Sequence, residues 1–437
     1  MRRRYLAWPR LTVAAVLAAM IGAGAWLAVG AGGSSAADRA PGPAAAPSAS
    51  AGALPKLNLA ALPSAPPAPR PAGCRPLSLA GASGVWLPDW FEDPGLASLV
   101  PEQAQRLGVL DFFWLSLGSS ADSIQERPGN PGGAPLASVL DAAATANPCG
   151  WRFVTVSDEQ APKATMARIL LNPQARWRNV TALATAMASL PQANGLTLDY
   201  EYALPSSQQD LDRYASVAGW HGLGIREQIN RITAGYTEFV RELALAMHRQ
   251  HRALRVAVKV RATDEISYAD LSSLSLFVYD YGQLSKYADQ IVLMAIDFHW
   301  STGDPGPIVT MSDLTKVLDD VRTYRIPAAR LAVESPVYGY DWTVGRAGHI
   351  LAGTQASSFT ATDLASRAWR KTGSKDGETS YGYTAGGKRH VVWFGGSALA
   401  YQTTQVRRLY PGIAIMAWAT GNTDPAGSRL ILQALGK

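Results

Sequence analysis

The sequence predicts a (β/α)8 barrel with a small α+β insertion between its seventh and eighth strands. Three observations predict it. Eight short β-branched or aromatic runs recur from residue 84 onward, the stretches between them have helical periodicity, and no GxGxxG phosphate turn follows the first run. Near-continuous apolar strands joined by helices indicate a parallel sheet covered on its outer face.

The runs come in order as GVWLPDW (84–90), LGVLDFFWLSLG (107–118), WRFVTVS (151–157) and GLTLDYEY (195–202). LRVAVKVRA (254–262), QIVLMAIDF (290–298), RLAVESPVYG (330–339) and GIAIMAWATG (412–421) complete the set. Between the fourth and fifth, Ile225, Ile229, Ile232, Tyr236, Phe239, Leu243 and Met247 recur at three- and four-residue steps, the stripe of an amphipathic helix packed on a sheet. Some seventy residues separate the last two runs and include the β-like TSYGYTAGGKRHVVWF (379–394), so the insertion is expected over about 343–408 beside the barrel mouth.

Ahead of the barrel the chain changes character. Arg2, Arg3, Arg4 and Arg10 precede an uncharged stretch from Leu11 to Ala37, the layout of an export signal or of an uncleaved membrane anchor. Residues 38–76 are mostly Pro, Ala and Ser and read as an extended tether, leaving 77–437 as the folded domain. Of the net charge of +6, four belong to those arginines, which leaves +2 and no nucleic-acid footprint. Cys74 and Cys149 are the two cysteines; one disulfide is the economical reading in an oxidising compartment, and both positions precede strands, at the bottom face of a barrel. The protein is expected to be secreted or to face outward, to act as a monomer and to need neither cofactor nor metal.

The chemistry is expected at the fourth strand. Alternate residues share a face, so Gly195, Thr197, Asp199 and Glu201 point one way, toward the axis, while Leu196, Leu198, Tyr200 and Tyr202 face the helices. The two acids stand roughly 6.6 Å apart along the strand, with Glu201 at the C-terminal mouth where barrel enzymes keep their sites. Neighbouring carboxylates in a low dielectric cannot both ionise cheaply, and the expectation is a protonated Glu201 beside an ionised Asp199. Aromatic groups crowd the other strand ends: Trp86, Trp90, Trp114, Phe298, Trp300, Tyr338, Trp342 and Trp418. Flat rings with polar edges suit the apolar faces of sugars.

From residue 84 to 425 the sequence resembles glycoside hydrolase family 18, the chitinase family. Against its fourth-strand pattern DGxDxDxE the chain has Asn194, Gly195, Thr197, Asp199 and Glu201, keeping the last two acids and replacing the first two. IVLMAIDFHWSTGDPGPI, SPVYGYDW, HVVWF and IAIMAWATGNTDP carry the resemblance onward, closest to the branch of bacterial spore-cortex and cell-wall glucosaminidases. What the resemblance implies is retaining, substrate-assisted cleavage of β-linked N-acetylglucosamine polymers, peptidoglycan ahead of chitin. Glu201 would be the acid and then the base, and Asp199 would hold the acetamide N–H and offset its charge. Trp418 would floor the pocket and Asp297 would bind the sugar. Met294, His299, Tyr338, Tyr340, Trp86 and Trp114 complete the expected substrate-binding set. Where the family has Met-x-Tyr-Asp, the chain has Met294, Ala295, Ile296 and Asp297, so one hydroxyl is missing, with Tyr338 and Tyr340 as its candidate replacements. The different-class alternative is a lectin-like barrel that binds acetamido sugars, motivated by Ile296 and Thr197. A metal-dependent deacetylase would need a ligand cluster that six scattered histidines do not form.

Overall fold

The computed structural model describes residues 62–75, 77–89, 96–127, 134–261, 267–345, 350–356, 370–395, 398–420 and 425–436. The arginine-led apolar run, the first part of the tether and Trp90 lie outside the described residues. Eight parallel strands form the barrel: β1 (Ser83–Pro88), β2 (Val109–Leu117), β3 (Trp151–Ser157), β4 (Gly195–Asp199), β5 (Ala253–Lys259), β6 (Gln290–Met294), β7 (Leu331–Pro336) and β8 (Ala414–Trp418). Each pairs with the next, and β8 returns to β1 through Gly84↔Met416, closing the sheet so that no edge is left. All eight predicted strands are present.

Strand alternation divides the core in two. Trp86, Phe113, Phe153, Ala257, Val292, Ala332 and Met416 fill the axis, while Val85, Phe112, Val154, Leu196, Leu198, Val256 and Val333 pack outward under the helices. The helix Ile225–Arg249 lays Ile229, Ile232, Tyr236, Phe239, Leu243 and Met247 on that outer face, every one fully buried. Gly235 lets it approach the helix Lys163–Leu171, because a Cβ there would stand 2.2 Å from the Leu170 carbonyl oxygen.

The insertion is an antiparallel sheet of five strands, in the spatial order 350–356, 339–344, 388–394, 378–385 and 370–375. Its described residues are strands joined by turns, and it begins at Gly339, earlier than expected. The helix Leu399–Leu409 belongs to the barrel: Ser335 Oγ donates to Gln402 Oε1 at 2.9 Å. Tyr340, Trp342 and Val344 form the sheet's inner face and pack with Ile308 and Tyr338. Glu378, fully buried, fastens sheet to barrel by accepting from the N–H groups of Ile308 (2.7 Å) and Val309 (2.9 Å), and burial pushes its carboxyl up to about 8.

The composition of residues 62–75 suggests a tether that does not pack; the structure differs. Leu62 is 4% exposed in the main core cluster, and the Pro63 carbonyl accepts from Gln250 Nε2 at 3.0 Å. Leu79 plugs the barrel axis from below. A few apolar side chains suffice here because they meet a preformed surface instead of building one. The Cys74–Cys149 disulfide, Cα–Cα 5.4 Å, pins this segment at the bottom face, as the sequence predicts.

Replacing both cysteines by serine opens a cross-link spanning 75 residues. The expected outcome is a loss of about 2–4 kcal/mol in unfolding free energy, read from urea denaturation, with the native fold retained.

Candidate active site

The fourth strand is built from its foot upward. Asn194 ties it to β3, accepting from the Arg152 N–H at 2.7 Å and donating to the Gly150 carbonyl at 2.9 Å. Gly195 is obligatory in its place, since a Cβ would stand 2.2 Å from the Phe153 ring. Leu196 and Leu198 are buried outward, and Tyr200 stacks on Phe239 at 5.6 Å with its hydroxyl on Asn179 Oδ1 at 3.2 Å. Asp199 therefore faces the axis, and so does Glu201. Tyr202 departs from the expected alternation: the chain turns after Glu201, leaving Tyr202 46% exposed at the mouth instead of under the helices.

That turn is held by an acid on the neighbouring strand end. Asp158, fully buried just past β3, accepts three successive N–H groups: Glu201 (2.8 Å) and Tyr202 (2.9 Å) on Oδ1, and Ala203 (2.9 Å) on Oδ2. Burial pushes Asp158 up to about 6 against the pull of those bonds. Lys259, inward-facing at the end of β5, brings its Nζ to 3.5 Å from Glu201 Oε2 and donates to the Glu201 carbonyl at 3.4 Å. The Glu201 side chain retains 14% of its exposure, open to the mouth.

Beneath the mouth lies a sealed polar layer. Asp111 of β2 accepts from Thr155 Oγ1 (2.6 Å), Thr197 Oγ1 (2.5 Å) and Arg255 NH1 (3.0 Å), all fully buried. Desolvation raises Asp111 and lowers Arg255, each opposed by the other's charge. The Thr197 hydroxyl is thus spent on Asp111 and not on Asp199. Asp199, 4% exposed with Oδ1 enclosed and unpaired, is pushed well above the carboxylate range, first by burial and then by Glu201, Asp158, Glu334 and Glu159. Burial thus favours the neutral form of Asp199, which the sequence reading expects to be ionised. Depth explains it: the lower of the two acids loses more water.

Across the mouth, Asp297 follows β6 with φ +60°, a left-handed backbone that an aspartate tolerates better than most residues. Tyr338 donates to Asp297 Oδ1 in a short hydrogen bond, and Tyr340 donates to the same atom at 3.0 Å. Asp297 is open to the cleft but crowded by its walls, and that desolvation pushes it up to about 6, against the two tyrosines and with the help of Glu201. Both tyrosines expected to replace the missing hydroxyl are thus committed to Asp297.

The remaining expected residues divide. Trp418, partly exposed, stands edge-on to Trp86 (5.5 Å) and Phe113 (5.3 Å), and Met294 packs with the same inner cluster. Trp86 is 1% exposed beneath Trp418 and supports that ring instead of offering a sugar platform. Trp114 points away from the axis into the outer core, because it is one residue out of phase with the inward Phe113. His299 places Nδ1 2.9 Å from the Asp304 carbonyl and packs on Gly306, shaping the 301–308 loop.

Asp158, Lys259 and Glu334 were not legible as site residues, yet two left a signal. Asp158 ends its strand with a second acid, Glu159, as Asp199 does with Glu201, and Glu334 is a lone charge inside the apolar run LAVESPV. Among the described residues no group of three His, Cys, Asp or Glu is arranged to hold a metal ion.

Comparison with known proteins gives the same direction. The model of the family "Glycosyl hydrolases family 18" matches residues 160–422. "Uncharacterized glycosylase YvbX" of Bacillus subtilis is 26% identical over 192 residues, 43% of this chain and 53% of the relative. The "Cortical fragment-lytic enzyme" of the same organism is 22% identical over 277 residues, 62% of this chain and 56% of the relative. The chain spans about half the length of these curated relatives. Among solved structures, the Bacillus cereus spore cortex-lytic enzyme SleL superposes with TM-score 0.62 at 14% identity, over 82% of this chain and 75% of that one, a likeness of fold.

Two outcomes are expected of the site's electrostatics. Asp158→Ala leaves three N–H groups without their acceptor, and amide hydrogen exchange at Glu201, Tyr202 and Ala203 should quicken by about tenfold or more, the equivalent of a lost hydrogen bond to a charged group; Asp158→Asn, which keeps an acceptor oxygen, should quicken them less. Asp199→Asn should raise the unfolding midpoint at neutral pH. The folded chain holds on Asp199 a proton that the unfolded chain releases above about pH 4, so the wild type loses stability as pH rises from there, and the difference between the two should vanish below that pH.

Proposed function

The chain belongs to the glycosyl hydrolases of family 18, and on that premise we propose that it hydrolyses β-linked N-acetylglucosamine polymers, peptidoglycan ahead of chitin, by a retaining mechanism in which the substrate's own acetamide is the nucleophile. The observation that carries this reading is the pair Asp199 and Glu201 at the end of β4, the first buried and the second partly open to solvent at the barrel mouth.

In the proposed sequence the proton held on Asp199 passes to Glu201 as the sugar enters. Glu201 delivers it to the glycosidic oxygen. The bond from that oxygen to the anomeric carbon breaks while the acetamide carbonyl oxygen attacks the same carbon, closing an oxazolinium ring. Asp199, now an anion directly below, accepts the acetamide N–H and offsets the positive charge. Glu201 then takes a proton from a water whose oxygen attacks the anomeric carbon, opening the ring and restoring both the acetamide and the acid.

Asp158 and Lys259 keep Glu201 over the reacting bond. Alignment of this kind supplies much of the rate in a site where the nucleophile is already tethered. The cell-wall preference is supported by the name of the cortical fragment-lytic relative and by the N-terminal sequence, whose arginine-led apolar run and Pro-rich stretch suit export and tethering to the envelope. The Cys74–Cys149 disulfide fits an oxidising compartment. A lectin-like barrel is the second reading, favoured by Ile296, which brings no hydroxyl to the strand-six end.

Glu201→Gln is expected to lower kcat on a fluorogenic N-acetylglucosamine oligomer by about 10²- to 10⁴-fold, the range of general acid–base catalysis, while binding persists. Wild-type turnover at the blank rate with binding intact would decide for the lectin. Mass analysis of products from purified peptidoglycan and from chitin oligomers assigns the substrate.

A further inference from the structure

The cleft holds a third inward-facing acid that the proposed reaction leaves unused. On β7, Ala332 belongs to the inner cluster, while Val333 packs outward and Ser335 bonds to the helix Leu399–Leu409, so Glu334 points to the axis. It pairs with Met416 of β8, two residues below Trp418, and the Leu293↔Val333 pair brings Met294 of β6 alongside. Glu334 is 2% exposed, and among the described residues no hydrogen bond reaches its carboxyl.

An enclosed carboxyl without a partner is costly unless something supplies one. Burial first, and then the charges of Glu201 and Asp297, with Arg255 opposing and Asp111 adding to them, push its carboxyl well above the usual carboxylate range and favour the neutral form. A neutral carboxylic acid carries an O–H that can donate. Tyr338 and Tyr340 both donate to Asp297, and Ile296 contributes no polar group.

Resting on the hydrolase reading above, we propose that Glu334 is a substrate-binding residue whose carboxyl O–H donates to an acceptor oxygen of the N-acetylated sugar lying against Trp418. The acetamide carbonyl is the strongest acceptor such a sugar offers, and it is the group that must be held still to react. Glu334 thus takes over, from a neighbouring strand, a donor function that β6 cannot supply. It also gives a role to the lone acid inside an otherwise apolar strand.

The test is calorimetric binding of tetra-N-acetylglucosamine to Glu201→Gln, in which the sugar is bound but not consumed, with and without a second change at Glu334. Glu334→Met removes the donor, and affinity should fall by about tenfold or more, the equivalent of a lost hydrogen bond to a buried acceptor. Glu334→Gln keeps a donor in its amide N–H, and affinity should stay within about threefold of the parent by the same conversion. Equal affinity in all three proteins overturns the proposal, as does an equal loss for Gln and Met. Glu334→Leu stands in if the Met variant does not fold. Hydrolysis by the wild type with no effect of Glu334 on binding refutes this inference alone. A Glu334-dependent affinity in a wild type that cleaves neither peptidoglycan nor chitin refutes the hydrolase reading alone, and a parent that binds no oligomer refutes both.

Discussion

One buried carboxylate fixes the mouth of this barrel. Asp158 receives three consecutive N–H groups from the chain just beyond β4, which ends the strand after Asp199, turns Tyr202 out to solvent and leaves Glu201 facing the cavity. Bonds of this kind to a charged acceptor contribute about 1.5–3 kcal/mol each, enough together to decide between this turn and a strand that runs on. Had the strand continued, Tyr202 would have been packed under the helices and Glu201 held rigidly within the sheet. The clamp instead gives a side chain that is fixed at its backbone and reachable from outside.

Below the clamp, depth sorts the acids by charge. Asp111 is sealed with Arg255 and two threonine hydroxyls at the axis, Asp199 lies above it with an unpaired oxygen, and Glu201 stands at the opening. Arg255 and the hydroxyls offset the desolvation of the deepest acid, whereas Asp199 is buried without such a partner, so burial favours its neutral form. The departures from the family's fourth-strand pattern fit this layering. Asn194 serves as a strand tie at the foot, where a carboxylate would have to be neutralised, and Thr197 hands its hydroxyl to Asp111 of β2, which supplies the axial carboxylate from another strand.

Period-two alternation made the barrel, its eight strands and the inward direction of Asp199 and Glu201 legible from the sequence, because a parallel strand buried on both faces has few other ways to place a charge. The same rule failed for Trp114, one residue out of phase with the axis, and for Trp86, where inward did not mean open. Neither failure could be seen from residue type: a tryptophan reads alike as platform or as support. Asp158, Lys259 and Glu334 act across strands, and partners separated by forty to over a hundred residues leave no spacing signal. The docking of Leu62 was hidden for a related reason, since a sparse apolar segment packs only where another part of the chain has already made the surface.

The central claim is that the acid pair at the end of β4 works together with the substrate's acetamide to cleave with retention. Proton NMR of the anomeric position, recorded in the first minutes of N-acetylglucosamine oligomer hydrolysis before mutarotation sets in, tests this most directly. The account requires the β-anomer to appear first at the newly formed reducing end. Initial release of the α-anomer would mean direct attack by water from the opposite face and would contradict it.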